Sequence, residues 1–369
     1  MPSELLINLC KIEKVLPHGN ADRLELAHIG GWQVVVQKGK HTRGDTVVYF
    51  PPDSLIPTDL ADHLGVTEYL SIRVYPEGTY GRVKAVRLRG EVSHGFVANM
   101  SYFEDRQDFP KLLGANVAEL LGVKKWEPEV KAQKGQSNNK GMAPEVAVFP
   151  KYTDIQNLRH YPTLFDPDDI VVITEKIHGT NSRVSICLNP YYRWWNPLSW
   201  GKKFVHMVGS HNVRRKLAYA GIYAIPLTRE VKKMLQYLRE KRKADSVVVY
   251  SEVYGGNIQD LRYGEDTPAY RVFDIKIDGT YLNWSTVAAV CTQWNVPTVP
   301  LVYEGKYVSI DKIRLYANGD TLLMDSNPHI REGIVVKTGV ESTDPRLGRK
   351  ILKYVSDDYL TRKGGTEDH

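Results

Sequence analysis

The pattern of hydrophobic and polar positions changes character twice along the 369 residues. Up to about residue 105 the apolar residues come in short, Val-rich runs: WQVVVQ (32–37), DTVVYF (45–50) and GRVKAVRL (81–88). Gly, Pro, Asp or Asn separates them. Short strands with frequent turn signals predict a small barrel or sandwich. Phe109–Val123 is apolar at helical spacing in its second half, and KAQKGQSNNKGMAPE (131–145) is polar and rich in Gly, Ser and Asn. A helical piece followed by a linker or mobile loop is expected over 106–148.

From about Phe149 longer strands alternate with helices. Strands are predicted at 169–176, 182–188, 246–255, 270–278, 332–337 and 350–355. The clearest helix is 229–243, where Val231, Met234, Leu235 and Leu238 follow the i, i+3, i+4, i+7 rule and face a core. Its Lys and Arg residues read as a solvated face. There is no internal repeat. The expected class is α+β, with a β-rich domain over 1–105, a connecting segment over 106–148 and a second domain over 149–369.

Composition narrows the function classes. At 42% hydrophobic and 25% charged residues the chain can build cores and is not wholly disordered. No run approaches the ~18 apolar residues of a membrane span, so no membrane partner is expected. The N-terminus MPSELLINLCKIEK lacks the basic start and apolar block of a signal peptide. Cys10, Cys187 and Cys291 lie far apart with no CxxC. That excludes a disulfide scaffold and a cysteine zinc cage, fits a reducing compartment, and makes a cytoplasmic location the expectation. The 49 Lys and Arg exceed the 43 Asp and Glu by six, mild support for a polyanionic partner.

Candidate chemistry begins at Lys176. It ends an apolar strand and meets the turn Ile177-His178-Gly179, where a glycine lets the chain reverse close to a ligand. A lysine amine attacks phosphorus only when neutral, and burial with neighbouring cations would lower its pKa to supply that form. A strand-end lysine snorkelling to water is the plain alternative. Four later strands carry the same design. Glu252 shares a face with Val248 and Tyr250, and Phe273 with Arg271 and Ile275. Glu332 opens a strand whose Val335 and Lys337 share one face, and Lys353 projects with Ile351. Charges entering a buried sheet are costly unless paired or bound to a ligand. Each alone could be an edge salt bridge. Together they suit ATP, its metal and transfer from a phosphorus centre.

In order and approximate spacing, Lys176, Glu252, Phe273, Glu332 and Lys353 resemble motifs I, III, IIIa, IV and V of the covalent nucleotidyltransferases. These comprise DNA ligases, RNA ligases and mRNA capping enzymes. EKIHGTN is similar to the form in ATP-dependent RNA ligases of the RNA ligase 2 type, whereas DNA ligases and capping enzymes usually carry Asp where His178 stands. The resemblance implies an ATP-grasp-like adenylyltransferase domain of antiparallel sheets and helices. It implies that Lys176 attacks the ATP α-phosphate and holds AMP. Glu175 would read the adenine amino group, and Asn181 would lie beside the nucleotide within the Ile177–Asn181 turn. Glu252 would bind the ribose or assist catalysis, and Phe273 would stack on adenine. Glu332, with Glu252, would place Mg²⁺ or Mn²⁺. Lys353, with Lys337, would contact the α-phosphate.

Two segments depart from the family pattern. Many members have motif V lysines two apart, whereas Ile351 and Val355 flank Lys353 here and Lys350 points the other way on a regular strand. Motif Ia corresponds to VGSHNVRRK (208–216), where His211, Arg214 and Arg215 all compete for phosphate or RNA contact and a basic solvated turn is the alternative. The insertion NPYYRWWNPLSWGKK (189–203) precedes it, and its Trp194-Trp195 pair is either a stacking surface or a local hydrophobic cap.

Only 16 residues follow Lys353, too few for the OB domain that DNA ligases and capping enzymes place there. Residues 17–45 and 86–96 instead resemble OB-type tRNA-binding modules, which implies an N-terminal OB-fold barrel as in one clade of RNA ligases. Lys38, Lys40, Arg87 and Arg89 would then meet RNA backbone or simply keep the surface soluble. The expected activity is ATP-dependent joining of 3′-OH and 5′-phosphate RNA ends. It would act at nicks in a duplex, through lysyl-AMP and an adenylylated 5′ end. The expected protein is a monomer with no obligate protein partner. A DNA ligase or capping-type enzyme, and a non-catalytic RNA-binding protein, are the rival readings.

Overall fold

The computed structural model describes residues 5–126, 141–196 and 203–362. They form two compact units, and the chain does not divide at a single point. The first unit adds Gln156–Leu164 and the residues from Asp357 onward to the N-terminal stretch. The second holds 141–155 and Phe165–Ser356.

In the first unit the strands are β1 (Asn8–Lys11), β2 (Lys14–Pro17), β3 (Leu24–Ile29), β4 (Trp32–Gln37), β5 (Thr46–Phe50) and β6 (Ser54–Pro57). After helix α1 (Thr58–His63) come β7 (Ser71–Tyr75), β8 (Gly78–Arg82), β9 (Ala85–Leu88), β10 (Glu91–His94) and β11 (Phe96–Asn99), then the short β12 (Lys124–Lys125) and β13 (Gln156–Asn157). Strand β5 lies between β1 and β11, and β2, β3 and β4 form an antiparallel meander. Alternation along β5 feeds two cores. Val47 and Tyr49 join Trp32 and Val34, while Val48 and Phe50 join Leu9, Ile56 and Phe103.

Two local expectations change here. GRVKAVRL is not one strand: Val83 turns into the core and β9 restarts at Ala85, while Arg82 is clamped to Asp53 at 2.6 Å. The stretch 109–123 is a series of turns rather than a helix, because Pro110, Gly114 and Asn116 interrupt it, yet Phe109, Val117 and Leu121 still reach the core. Three separate stretches of chain also meet inside this unit. The carboxylate of Asp357, 1% exposed, accepts from Arg159 Nη2 at 2.7 Å and pairs with His94 Nε2 at 2.8 Å. Tyr49 donates to the His94 carbonyl at 2.7 Å.

The second unit contains β14 (Ile170–Lys176), β15 (Thr180–Leu188), β16 (Phe204–Ser210), β17 (Arg214–Arg215), α2 (Arg229–Arg242), β18 (Ser246–Tyr254), β19 (Ala269–Ile277) and β20 (Thr280–Tyr281). It continues with α3 (Trp284–Gln293), β21 (Leu301–Lys306), α4 (Ile310–Ala317), β22 (Gly333–Thr338), the two-residue β23 (Thr343–Asp344) and β24 (Gly348–Arg349), and β25 (Ile351–Val355). One antiparallel sheet runs β17-β16-β15-β18-β19-β20, and a second runs β25-β22-β14-β21. The predicted helix is α2. Thr228 caps it, accepting from Val231 N at 3.2 Å, and Val231, Met234, Leu235 and Leu238 are all buried.

The two faces of the six-stranded sheet do different work. Val184, Val247, Val249 and Ile275 pack with α2 and α3. On the opposite face, Val248, Tyr250 and Met207 share a core with Val335 and Ile351 of the other sheet. The chemistry expected from the sequence lies along this facing pair of sheets. The first ten residues of the expected linker, 131–140, and residues 197–202 of the insertion lie outside the described residues. Residues 141–143 bond along β17 and its continuation: Lys216 N donates to Gly141 O, and Ala143 N to Arg214 O.

Candidate active site

Lys176 is the last residue of β14, opposite Gly333 of β22, which in turn lies opposite Val355 of β25. Pairing across these strands puts Lys176, Lys337 and Lys353 on one sheet face, with Val335 beside Lys353. The Lys176 Nζ donates to Glu332 Oε1 at 2.6 Å, and the carboxylate is the buried partner, 1% exposed against 26%. The second oxygen of Glu332, Oε2, is buried without a hydrogen-bond partner. Burial lowers the lysine pKa, but Glu332 and then Glu252 pull it the other way, and it ends above the ordinary value. The cations that the sequence suggested around this lysine are carboxylates instead, so the resting side chain is an ammonium.

Gly179 explains how Glu252 comes so close. A Cβ there would lie 2.3 Å from the Val253 carbonyl oxygen and 3.0 Å from Glu252 Cγ. The turn after Lys176 therefore runs against β18 only because residue 179 has no side chain. Asn181 pairs with Glu252 across β15 and β18, on the same face, and its Oδ1 is buried without a partner. Burial, reinforced by Glu332 and only partly opposed by Lys176, raises the Glu252 pKa to about 8. Two carboxyls, a lysine and an unpaired amide oxygen thus converge.

Phe273 enters through a β-bulge. The register of β18 and β19 runs Tyr250 to Asp274 and then Ser251 to Val272, so Phe273 is the extra residue. A bulge re-aims the side chains around it. Phe273 consequently does not share a simple face with Ile275, as plain alternation had suggested. Its ring packs edge-on to Tyr152 at 4.9 Å and touches the cores on both sides of the sheet. The next residue, Asp274, anchors a buried charge network. It accepts from Lys337 Nζ at 2.7 Å, Arg349 Nη1 at 2.8 Å and Tyr152 OH at 2.6 Å. Burial alone would raise its pKa, but Lys337 and Arg349 hold it low. Lys337 was expected on a phosphate; its ammonium is engaged by Asp274 and lies 5.2 Å from the Trp284 ring.

Other expected site residues sit elsewhere. Glu175 points to the opposite sheet face from Lys176, and its carboxylate takes Thr321 Oγ1 at 2.5 Å and Leu322 N at 2.8 Å, with Arg331 Nε at 3.5 Å. It ties the 320–323 turn to β14. Ile177 is a core residue, 3% exposed. Lys350 is drawn to Asp169 at 2.6 Å, at the far end of β14 from Lys176. His211 pairs with Asp154 at 3.0 Å, and the Arg214 backbone and side chain bond Glu145 and the Pro144 carbonyl. Arg215 lies over the Tyr223 ring, its Nε buried without a partner. Trp194 and Trp195 are 74% and 63% exposed, so they are not a buried cap.

The sequence reading missed the supports of the His178 turn. His178 Nε2 pairs with Asp260 Oδ1 at 2.7 Å, and its backbone N–H donates to Tyr263 OH at 2.6 Å. It also missed Arg183, on the Asn181 face, which is buried and donates from Nη2 to both carboxylate oxygens of Glu145. Asp274 was legible as a charge inside YRVFDIKID, although its partners were not.

The protein has a sheet-rich catalytic-type unit after an N-terminal β unit, and comparison with known proteins places both. A model of an OB-fold domain matches residues 6–100, so the class is mixed α+β with an OB-fold domain first. A model described as RNA ligase matches residues 169–355, half of the chain. The chain belongs to the RNA ligase family and is a ligase enzyme. Among solved structures it is similar to an apo mutant of Naegleria gruberi RNA ligase, with a TM-score of 0.73, 23% identity and 98% of each chain covered. Mutants of the same ligase with ATP and Mn (TM-score 0.72) and with AMP and Mn (TM-score 0.73) match at 23% identity over 97% of this chain and 98% of theirs. At that identity the likeness shows the fold. The search of curated proteins finds no match.

Proposed function

We propose that the protein is an ATP-dependent RNA ligase that joins 3′-OH and 5′-phosphate ends at nicks in an RNA duplex. The observation that carries this reading is the Lys176 amine at a strand end, between the carboxyl groups of Glu332 and Glu252 and beside Asn181. The Lys176 nitrogen would bond the α-phosphorus of ATP as the bond to pyrophosphate breaks. The AMP would pass to the RNA 5′-phosphate, and the 3′-OH would displace it. To attack, the amine must shed a proton, and Glu332 Oε1 at 2.6 Å is the acceptor within reach. Phe273 offers a ring for adenine, Asn181 a contact for the nucleotide, and Lys353 a positive charge on the Lys176 face. Lys337 and Glu175 act through the residues they hold in place.

A divalent metal fits this donor set. Glu332 Oε2 is buried and unpartnered, and the Glu252 carboxyl, held protonated near pH 7 by burial, would become a second hard oxygen donor as a bound cation displaces its proton. Among the described residues no group of three or more His, Cys, Asp or Glu is spaced to hold a metal alone. That suits Mg²⁺ or Mn²⁺, which bind through one or two carboxylates plus substrate phosphates. The metal would supply neutralisation of phosphate charge. The similar ligase structures contain ATP or AMP with Mn. The test is incubation with ATP labelled at the α-phosphate, followed by sealing of matched RNA and DNA nicks. Label on Lys176 and faster sealing of RNA are expected. No label on the folded protein, or faster sealing of DNA, would overturn the reading.

A further inference from the structure

The N-terminal unit holds a cavity of about 290 Å³ between β4, β11 and the turn after α1. This is near the lower end of small-molecule sites, roughly 300–1,000 Å³, and suits a single ring system. Its apolar side is Leu64, Val66 and Phe96. Phe96 is braced from behind by Phe50, stacked at 4.8 Å. The opposite side carries Gln37, Lys40, His41, Asn99 and Tyr102.

Tyr102 leans edge-on against His63 at 5.8 Å, but three of the other polar groups are not used by the fold. Among the described residues the side-chain amides of Gln37 and Asn99 find no hydrogen-bond partner, and the buried Nδ1 of His41 has none. Burial lowers the His41 pKa more than Asp45 raises it, so the ring is neutral at pH 7 and can serve a neutral polar edge. Two amides and a neutral imidazole offer donors and acceptors together, which is what a nucleobase edge requires. Tyr102, 43% exposed, presents an aromatic ring at the rim. The entrance is basic. Lys38, Lys40 and Arg43 are exposed on the loop between β4 and β5. The one acid in that loop, Asp45, is occupied by Thr42 at 2.7 and 2.8 Å. An anionic chain that carries planar, polar-edged rings matches both halves of the site.

We propose that this pocket takes one unpaired base of the RNA substrate, with the adjoining phosphate against Lys40. It rests on the reading that RNA is the substrate, and it deepens that reading by locating a contact remote in sequence from every residue of the lysine site. Base–aromatic stacking contributes about 1–3 kcal/mol per base, which converts to a change in affinity of roughly 5- to 160-fold.

The experiment uses full-length protein and a fluorescein-labelled nicked RNA duplex with a short single-stranded extension, read by anisotropy across a salt series. Tyr102→Ala and Asn99→Asp should each raise Kd at least fivefold, and Lys40→Ala should flatten the salt slope by about one. All three should take label from ATP at the wild-type rate, because that step needs no RNA. A 4-thiouridine in the extension should crosslink within 96–102 or 37–41. Wild-type Kd in both Tyr102→Ala and Asn99→Asp would overturn the proposal. Displacement of RNA by equimolar AMP would also overturn it, assigning the pocket to a free nucleotide. Asn99→Asp keeps the side-chain shape, so the test survives if Tyr102→Ala fails to fold. Failure of the wild type to take label would sink the ligase reading, while the binding comparison would still judge the pocket.

Discussion

The ion pair between Lys176 and Glu332 is lopsided: at 2.6 Å the carboxylate is sealed from water while the ammonium keeps a quarter of its surface exposed. Losing the acid therefore leaves a lysine that water can still solvate. Glu332→Ala should cost less than about 2 kcal/mol in stability, since the cost of breaking a buried pair falls mainly on a stranded, desolvated charge. Label transfer from ATP should fall by at least two orders of magnitude. Lys176→Arg should fail completely, because guanidinium stays protonated. Urea melts with label transfer check both. Glu332→Ala with wild-type labelling would show that the acid plays no part.

Phe273 should report on nucleotide affinity more than on the chemical steps. Phe273→Ala is expected to raise the ATP concentration needed for half-maximal labelling about tenfold, in line with an aromatic contact. Phe273→Trp should raise it less. Titrations of label against ATP test this. An unchanged ATP requirement in Phe273→Ala would place adenine elsewhere.

Asp274 offers a stability test of the buried network. Asp274→Asn strands the Lys337 ammonium and should cost about 3–5 kcal/mol. Lys337→Met should cost less, since Asp274 keeps Arg349 and Tyr152. The double variant should recover part of the loss, which a denaturant double-mutant cycle would measure. Strict additivity would mean the two residues do not couple.

His160 predicts a pH response in the N-terminal unit. Burial, then Arg159, depresses its pKa from 6.5 to about 4. Between those values the folded state binds fewer protons than the unfolded chain. Its contribution is therefore complete above pH 6.5 and disappears as pH falls toward 4, on the order of 2–3 kcal/mol. Thermal melts of wild type and His160→Gln from pH 7 to 4 should show a shallower fall for the variant. Parallel curves would refute it.

The sheet strands of the second unit were legible because their apolar runs are long and their charges stand at strand ends, as at Lys176 and Glu332. Helix α2 was legible from four buried residues on one stripe. What alternation cannot reveal is an inserted residue, so the bulge at Phe273 changed which neighbours share its face. Nor does a charge announce its partner. Lys337 and Lys350 read alike as lysines near a phosphate site, yet Asp274 and Asp169 claim them. Those acids lie 63 and 181 residues away in sequence. The turns over 109–123 kept the hydrophobic positions of a helix but not the unbroken backbone that a helix needs.

The burial of Asp357 against His94 and Arg159 carries a consequence for biosynthesis. His94 and Arg159 precede the carboxylate they share by 263 and 198 residues, so both are synthesised well before it. At roughly 5–20 residues per second, the N-terminal unit waits on the order of ten seconds or more for that carboxylate. Closure of that buried pair therefore trails the strands of the unit, and a chain stalled before Asp357 would lack it.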